Sequence, residues 1–228
     1  MPISPLERVE TFCRSHNIQI PILMAPMANA CPASLSIAVA NAGGMGACGC
    51  YMMRPEQIKN WVQTMRSGSN GVFQLNLWIP DTDPVRDAKN EAALRDFLGK
   101  WGPEINLKDT EASQINFEEQ CEATIALGPS VISSIMGIYP APFVARLKNQ
   151  GIKWFATVTS VTEALAAEAA GADVIVAQGM EAGGHRGSFN AEDVSRSLVG
   201  LFSLLPAVVD AVKVPVVATG GISDARGI

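Results

Sequence analysis

Short apolar segments recur along this chain, each followed by a stretch with helical spacing, and that alternation limits the fold more than any other feature. Residues 18–25 (IQIPILMA), 47–50, 72–78 (VFQLNLW), 131–134, 152–158, 173–177 and 214–218 read as seven strands. They are mostly apolar throughout, as strands covered on both faces are. Helical patterns fall between them, at 32–42, 55–66, 116–126, 142–149, 161–170 and 194–212. In the second, Ile58, Trp61, Val62 and Met65 mark one face at helical spacing. Gly151 and Gly171 each stand between a helix and the next strand. This grammar predicts βαβ units, right-handed crossovers and a parallel sheet.

Two parallel architectures compete. A doubly wound sheet carries its phosphate loop, G-x-G-x-x-G, after the first strand. Here that strand runs into Met24-Ala25-Pro26-Met27-Ala28, without a glycine. The glycine pairs come late instead, Gly183-Gly184 after the sixth strand and Gly220-Gly221 after the seventh. Late-strand phosphate binding is the habit of the (β/α)₈ TIM barrel. The expected fold is therefore an α/β TIM barrel with seven of its eight strands, one domain over 1–228. Residues 79–115 form an irregular excursion within it, with a charged helix at 85–98.

Composition excludes other classes. Hydrophobic residues make up 48% and charged residues 17% of 228 positions, which excludes intrinsic disorder. A net charge of −5 argues against nucleic acid as partner. No apolar run is long enough for a membrane span, and the first residues lack a signal-peptide pattern. Five cysteines, of which only Cys48 and Cys50 are close, make a poor zinc signal and read as buried thiols of a cytoplasmic protein.

In a barrel, chemistry collects at the C-terminal ends of the strands. The densest cluster there is QGMEAGGHRG at 178–187, holding His185, one of two histidines. Its glycines let backbone amides approach a ligand, and the histidine can exchange a proton near neutral pH. A histidine merely bonded to the backbone is the bland alternative. His16 reads as a surface residue. Gly220-Gly221, followed by a helix start at Ser223 or Asp224, presents amides to an anion, although an ordinary tight turn looks the same. Gln74 and Asn76 share one face of an apolar strand. They are costly there unless paired with a polar ligand or with neighbouring strands. Met24, Met27, Met45, Met52 and Met53 read as core and pocket lining.

These motifs resemble one family. PILMAPMA at 21–28, AGGMG at 42–46, FQLNL at 73–77, VAQGMEAGGHRG at 176–187 and PVVATGGI at 215–222 are similar, in order, to nitronate monooxygenase. The resemblance implies a flavin barrel that binds FMN without covalent attachment and oxidises alkyl nitronates with O₂ to a carbonyl compound and nitrite. By motif, His185 matches the active-site histidine, and Ala25, Pro26 and Met27 the segment against the flavin ring. Asn76 and Gln178 match flavin-contacting amides, while Gly183, Gly184, Gly220 and Gly221 match phosphate and ribityl sites. A flavin-dependent enoyl-acyl-carrier-protein reductase using NAD(P)H shares the Glu-x-Gly-Gly-His block and is the rival. A remnant without turnover is the third reading. With seven strands counted against eight, the sequence also predicts an incomplete phosphate site, weakened FMN affinity and exposed edges at the first and last strands. Such edges are an association hazard that leaves a homo-oligomer open.

Overall fold

The computed structural model describes residues 4–82, 85–103 and 115–227. The chain divides into two compact units, Met1–Pro80 with Phe117–Ile228, and Asp81–Asn116.

The first unit holds six strands: β1 (Gly46–Gly49), β2 (Phe73–Trp78), β3 (Val131–Ile135), β4 (Lys153–Val158), β5 (Val174–Gln178) and β6 (Val216–Thr219). They pair in sequence order, every neighbour parallel, in one sheet curled into a half-barrel. α2 (Ala33–Asn41) precedes β1, and between the strands run α3 (Pro55–Gly68), α5 (Phe117–Leu127), α6 (Ala141–Asn149), α7 (Val161–Ala169) and α8 (Leu201–Ala211). This is the βα alternation expected from the sequence.

Period-two alternation divides each strand between two cores. Phe73, Leu75, Leu77, Ile132, Trp154, Ala156, Val158, Ile175 and Ala177 form one apolar cluster with Ile58, Val62 and Met65 of α3 and Leu204 and Val208 of α8. The opposite face is apolar only at one end. There Met45, Val131, Phe155 and Val174 pack with Cys13 and Ile18. Farther along that face the alternation brings up Gln74, Asn76, Ser133, Thr157, Gln178 and Thr219 in register. The barrel lumen is thus greasy at the N-terminal ends and polar at the C-terminal ends, which puts the site where the polar side chains gather.

The segment at 18–25 differs from expectation. It is not a strand but a single parallel bridge, Leu23 to Met45. The reason is α2. Ser36 Oγ donates to the Ala47 carbonyl (2.8 Å) and accepts from the Ala47 amide (3.2 Å), so a hydroxyl serves the β1 edge that a strand would otherwise occupy. The expected open edge at this end is therefore served. Gln74 completes the attachment by donating to the Met24 carbonyl at 3.1 Å. At the other end, the residues of β6 are all half-buried.

α1 (Pro5–His16) adds to the helices expected from the sequence, and Ser4 and Glu7 spell a capping box that the structure forms in full. The last helix starts later than the sequence suggests. Ala191–Arg196 is a separate 3₁₀ helix, and α8 begins at Leu201. After Gly221, the Asp224 carboxylate accepts the Arg226 amide and the Asp224 carbonyl accepts the Gly227 amide, a turn at the place where the sequence suggests a helix start. All five cysteines are buried free thiols.

His16 is not a surface residue. Its ring sits half-buried, 4.2 Å from Phe12 and 5.2 Å from Phe155, with Nδ1 bonded to the Phe12 carbonyl. Burial lowers its pKa, assisted by Lys153 and opposed by the Phe12 carbonyl and Asp173. A lowered folded-state pKa means the unfolded chain binds more protons, so this stability is full above the unfolded value of about 6.5 and lost as pH falls through the folded value. Thermal midpoints measured at pH 7.5 and 5.5 should fall with acidification, and His16→Phe should flatten that slope. An unchanged slope in the variant would assign it elsewhere.

In the second unit, α4 (Ala88–Leu98) starts three residues later than the sequence suggests, because the Asp87 carboxylate accepts the Lys89 and Asn90 amides as N-cap. Among the described residues, no helix is long and apolar enough to cross a membrane.

Candidate active site

Asn76, near the end of β2, donates through Nδ2 to Ser133 Oγ on β3 at 3.0 Å. The Ser133 carbonyl in turn accepts the Tyr139 hydroxyl at 2.8 Å. Cross-strand pairing thus satisfies one end of the Asn76 amide. Among the described residues its Oδ1 takes no donor, leaving an acceptor on the polar face.

The glycine-rich segment after β5 is a loop clamped at several points. Gln178 uses both ends of its amide, donating to the His185 carbonyl (2.9 Å) and accepting the Gly187 amide (2.7 Å). This side chain shapes the loop that carries His185. Arg186 turns back beneath it. The guanidinium donates to the carbonyls of Gln178 (2.7 Å), Ser197 (2.8 Å) and Thr159 (3.3 Å), joining the ends of β4 and β5 to the approach of α8. Burial works against its charge, while Glu163 and Glu181 support it. Among the described residues its Nε is buried without a hydrogen-bond partner.

Two carboxylates finish the frame. Glu163 accepts the Thr159 amide (2.6 Å) and hydroxyl on one oxygen, and Ser188 Oγ and the Phe189 amide on the other. Glu181 accepts the Leu201 amide at 2.9 Å, capping α8. That contact holds its carboxyl below the usual range. A negative charge at a helix N-terminus is favourable.

The clamped loop leaves His185 exposed across the barrel mouth. Its ring lies 4.7 Å from that of Trp78 at the end of β2, at 73° between planes. Trp78 in turn lies 4.4 Å from Tyr51, which follows β1. Three rings from three strand ends therefore meet. Gln120 of α5 fixes the first by donating to the carbonyls of Cys50, Tyr51 and Met53.

The second glycine pair packs against the start of the glycine-rich loop after β5. A Cβ on Gly220 would lie 2.9 Å from the Ala182 amide, and one on Gly221 would lie 3.2 Å from Glu181 Cβ. Gly184, Gly220 and Gly221 all have left-handed φ values, +78°, +117° and +71°. Among the described residues, the amides of Gly183, Gly184, Gly220 and Gly221 take no partner. Free amides in such conformations are the kind of donor an anion or phosphate requires.

The structure thus packs Gly220 and Gly221 against Glu181 and Ala182, the residues leading into Gly183-Gly184, and sets His185 beside Trp78. Ala25, Pro26 and Met27 lie over the end of β1, where a Cβ on Gly49 would strike Met27 C and the Ala28 amide at 3.0 and 2.8 Å. The Cys31 thiol pins them, accepting the Met27 amide and donating to the Ala25 carbonyl. Sequence reasoning missed Tyr51, Trp78 and Glu163 as parts of this arrangement. Only Glu163 carried a local signal, the Ser160-x-x-Glu163 capping spacing.

The family model for nitronate monooxygenase matches residues 10–228. A protein named probable nitronate monooxygenase from Staphylococcus haemolyticus is 35% identical over 219 residues, 94% of this chain and 61% of its own length. One of the same name from Staphylococcus aureus strain MSSA476 is also 35% identical, over 93% of this chain and 60% of its own. The chain spans about 60% of the length of these curated relatives. Among solved structures, nitroalkane oxidase from Streptomyces ansochromogenes superposes with a TM-score of 0.73 at 29% identity, over 88% of this chain and 58% of that one. FabK from Thermotoga maritima gives 0.70 at 27% identity, over 95% and 56%. With its barrel strands, its clamped glycine loop and a family match over nearly its whole length, the chain belongs to the nitronate monooxygenase family.

Proposed function

We propose that this protein is a flavin-dependent oxidoreductase that uses O₂ to convert alkyl nitronates into a carbonyl compound and nitrite, with FMN as cofactor and His185 as the acting side chain. The observation that carries the reading is the loop after β5. Gln178 and Arg186 hold its backbone so that His185 stands over the polar end of the half-barrel. The family is flavin-dependent, and a bound flavin supplies the electron-accepting ring and its reaction with oxygen.

The chain's own residues bind and orient. The free amides of Gly183, Gly184, Gly220 and Gly221 fit a phosphate and ribityl chain. Asn76 Oδ1 and the segment of Ala25, Pro26 and Met27 are the groups offered to the ring. Gln178 serves indirectly, since its amide is engaged by the loop. A nitronate is already deprotonated at carbon, so His185 need only donate an imidazole N–H to a nitronate oxygen. With a neutral nitroalkane the same ring is placed to take the α-proton. Buried free thiols support a reducing, cytoplasmic setting.

The FabK likeness favours a second reading, reduction of an enoyl thioester by NAD(P)H. One comparison separates them. With FMN supplied, the protein is given ethylnitronate in an oxygen electrode with nitrite measured. In parallel it is given NADH with a crotonyl thioester. The proposal expects oxygen uptake and nitrite without NADH consumption. NADH oxidation that depends on the thioester would move the protein to the reductase reading, and no turnover with either substrate would leave a flavin-barrel remnant.

A further inference from the structure

Period-two alternation sets Trp78 on the same face of β2 as Gln74 and Asn76, directed to the polar end of the half-barrel. His185 belongs to the loop after β5, three strands away in the sheet order. That loop crosses the mouth far enough for the two rings to meet at 4.7 Å, nearly perpendicular. Behind Trp78, Tyr51 closes to 4.4 Å at 32°, and the buried Gln120 amide fixes the Tyr51 carbonyl. The His185 backbone is held by Gln178, but among the described residues the imidazole has no hydrogen-bond partner. Among the described residues its ring contact is with the Trp78 indole.

We propose that Trp78 is a positioning residue for His185, and that the Tyr51–Trp78 pair forms the wall against which a planar anionic substrate lies. An imidazole without a partner spreads over several rotamers, and only some aim an N–H at one point. An edge-to-face contact with an indole selects among them, since such ring pairs are favourable in their own right. The same wall suits a nitronate. Its negative charge is attracted to ring edges, where the aromatic quadrupole is positive, so it meets this pair at the edges rather than the electron-rich faces. The inference rests on His185 being the acting residue.

The test follows ethylnitronate binding by NMR on protein selectively labelled in histidine, with turnover measured alongside at equal FMN loading. In the wild type, ethylnitronate should shift the His185 imidazole signals. In Trp78→Ala that response should weaken about tenfold in apparent affinity, and turnover should fall about 10- to 100-fold. Trp78→Phe keeps an aromatic edge and should stay within about threefold of wild type. It also guards against misfolding of the alanine variant, which is checked by circular dichroism and thermal midpoint. If His185 of the wild type ignores ethylnitronate, the functional reading fails and this inference with it. If the wild type responds and folded Trp78→Ala responds equally and turns over equally, the positioning role alone is overturned.

Discussion

Replacing Arg186 with alanine is expected to cost about 2–3 kcal/mol of stability and to loosen the His185 loop. The guanidinium gathers three backbone carbonyls, those of Gln178, Ser197 and Thr159, at the junction of β4, β5 and the approach to α8. Hydrogen bonds from a charged donor contribute about 1.5–3 kcal/mol each at most, and removing the donor leaves the carbonyls unpaired. The sum is smaller than three full bonds because Arg186 Nε is itself buried without a partner, a cost that alanine removes. Lysine keeps the charge but offers no planar fork, so Arg186→Lys should recover less than half of the loss. Urea denaturation of the two variants measures this. A loss below about 0.5 kcal/mol for the alanine variant, the range of ordinary surface changes, would show that the three bonds do not hold the loop. The consequence for activity follows from geometry. His185 is adjacent to Arg186 in the chain, so a loop freed from the strand ends no longer presents the imidazole at a fixed place. Turnover should fall together with stability in the alanine variant.

Much of this arrangement was legible in the residues. The apolar segments from 47–50 onward became β1 to β6 with small shifts at their ends, because runs of Val, Ile, Leu and Ala flanked by helical patterns have few alternatives to a parallel sheet. The first apolar segment misled. Its residues suit a strand, but Ser36 on α2 had already taken the Ala47 hydrogen-bonding positions, a tertiary effect that no local pattern records. The N-terminal helix has a local signal in Ser4, Pro5 and Glu7, set among prolines and charges that mask it.

At the site, the glycine pairs and His185 were visible because glycine clusters and a rare histidine stand out in a sequence. The use of Gln178 was not. An amide at a strand end serves a ligand or a loop equally well by composition, and only the folded loop shows Gly187 and the His185 carbonyl at its two ends. The meeting of Trp78 with His185 was likewise hidden. It joins residues more than a hundred positions apart, and it depends on how far the loop after β5 reaches across the mouth.

The largest expected effect on activity belongs to His185→Asn. Asparagine is smaller than histidine but still offers an N–H donor, so the loop should keep its shape. The Gln178 amide bonds only to the backbone of residue 185, and that contact survives the change. What disappears is the imidazole, with its reach toward the mouth and its ability to exchange a proton near neutral pH. General acid–base groups typically contribute about 10²- to 10⁴-fold, and a donor placed at a developing or resident negative charge contributes on a similar scale. The exposure of His185 makes the substitution cheap for folding, since surface changes usually stay within about 0.5 kcal/mol. Loss of rate and loss of structure are therefore separable here.

The decisive measurement is nitrite formation from ethylnitronate by the wild type and His185→Asn, each saturated with FMN and matched by flavin absorbance. The account predicts nitrite from the wild type and a rate at least about 100-fold lower from the variant, with the flavin spectrum and thermal midpoint unchanged. A variant rate within about twofold of wild type at equal flavin loading would contradict it, because no role at the reacting atoms would then be left for the one histidine at the barrel mouth.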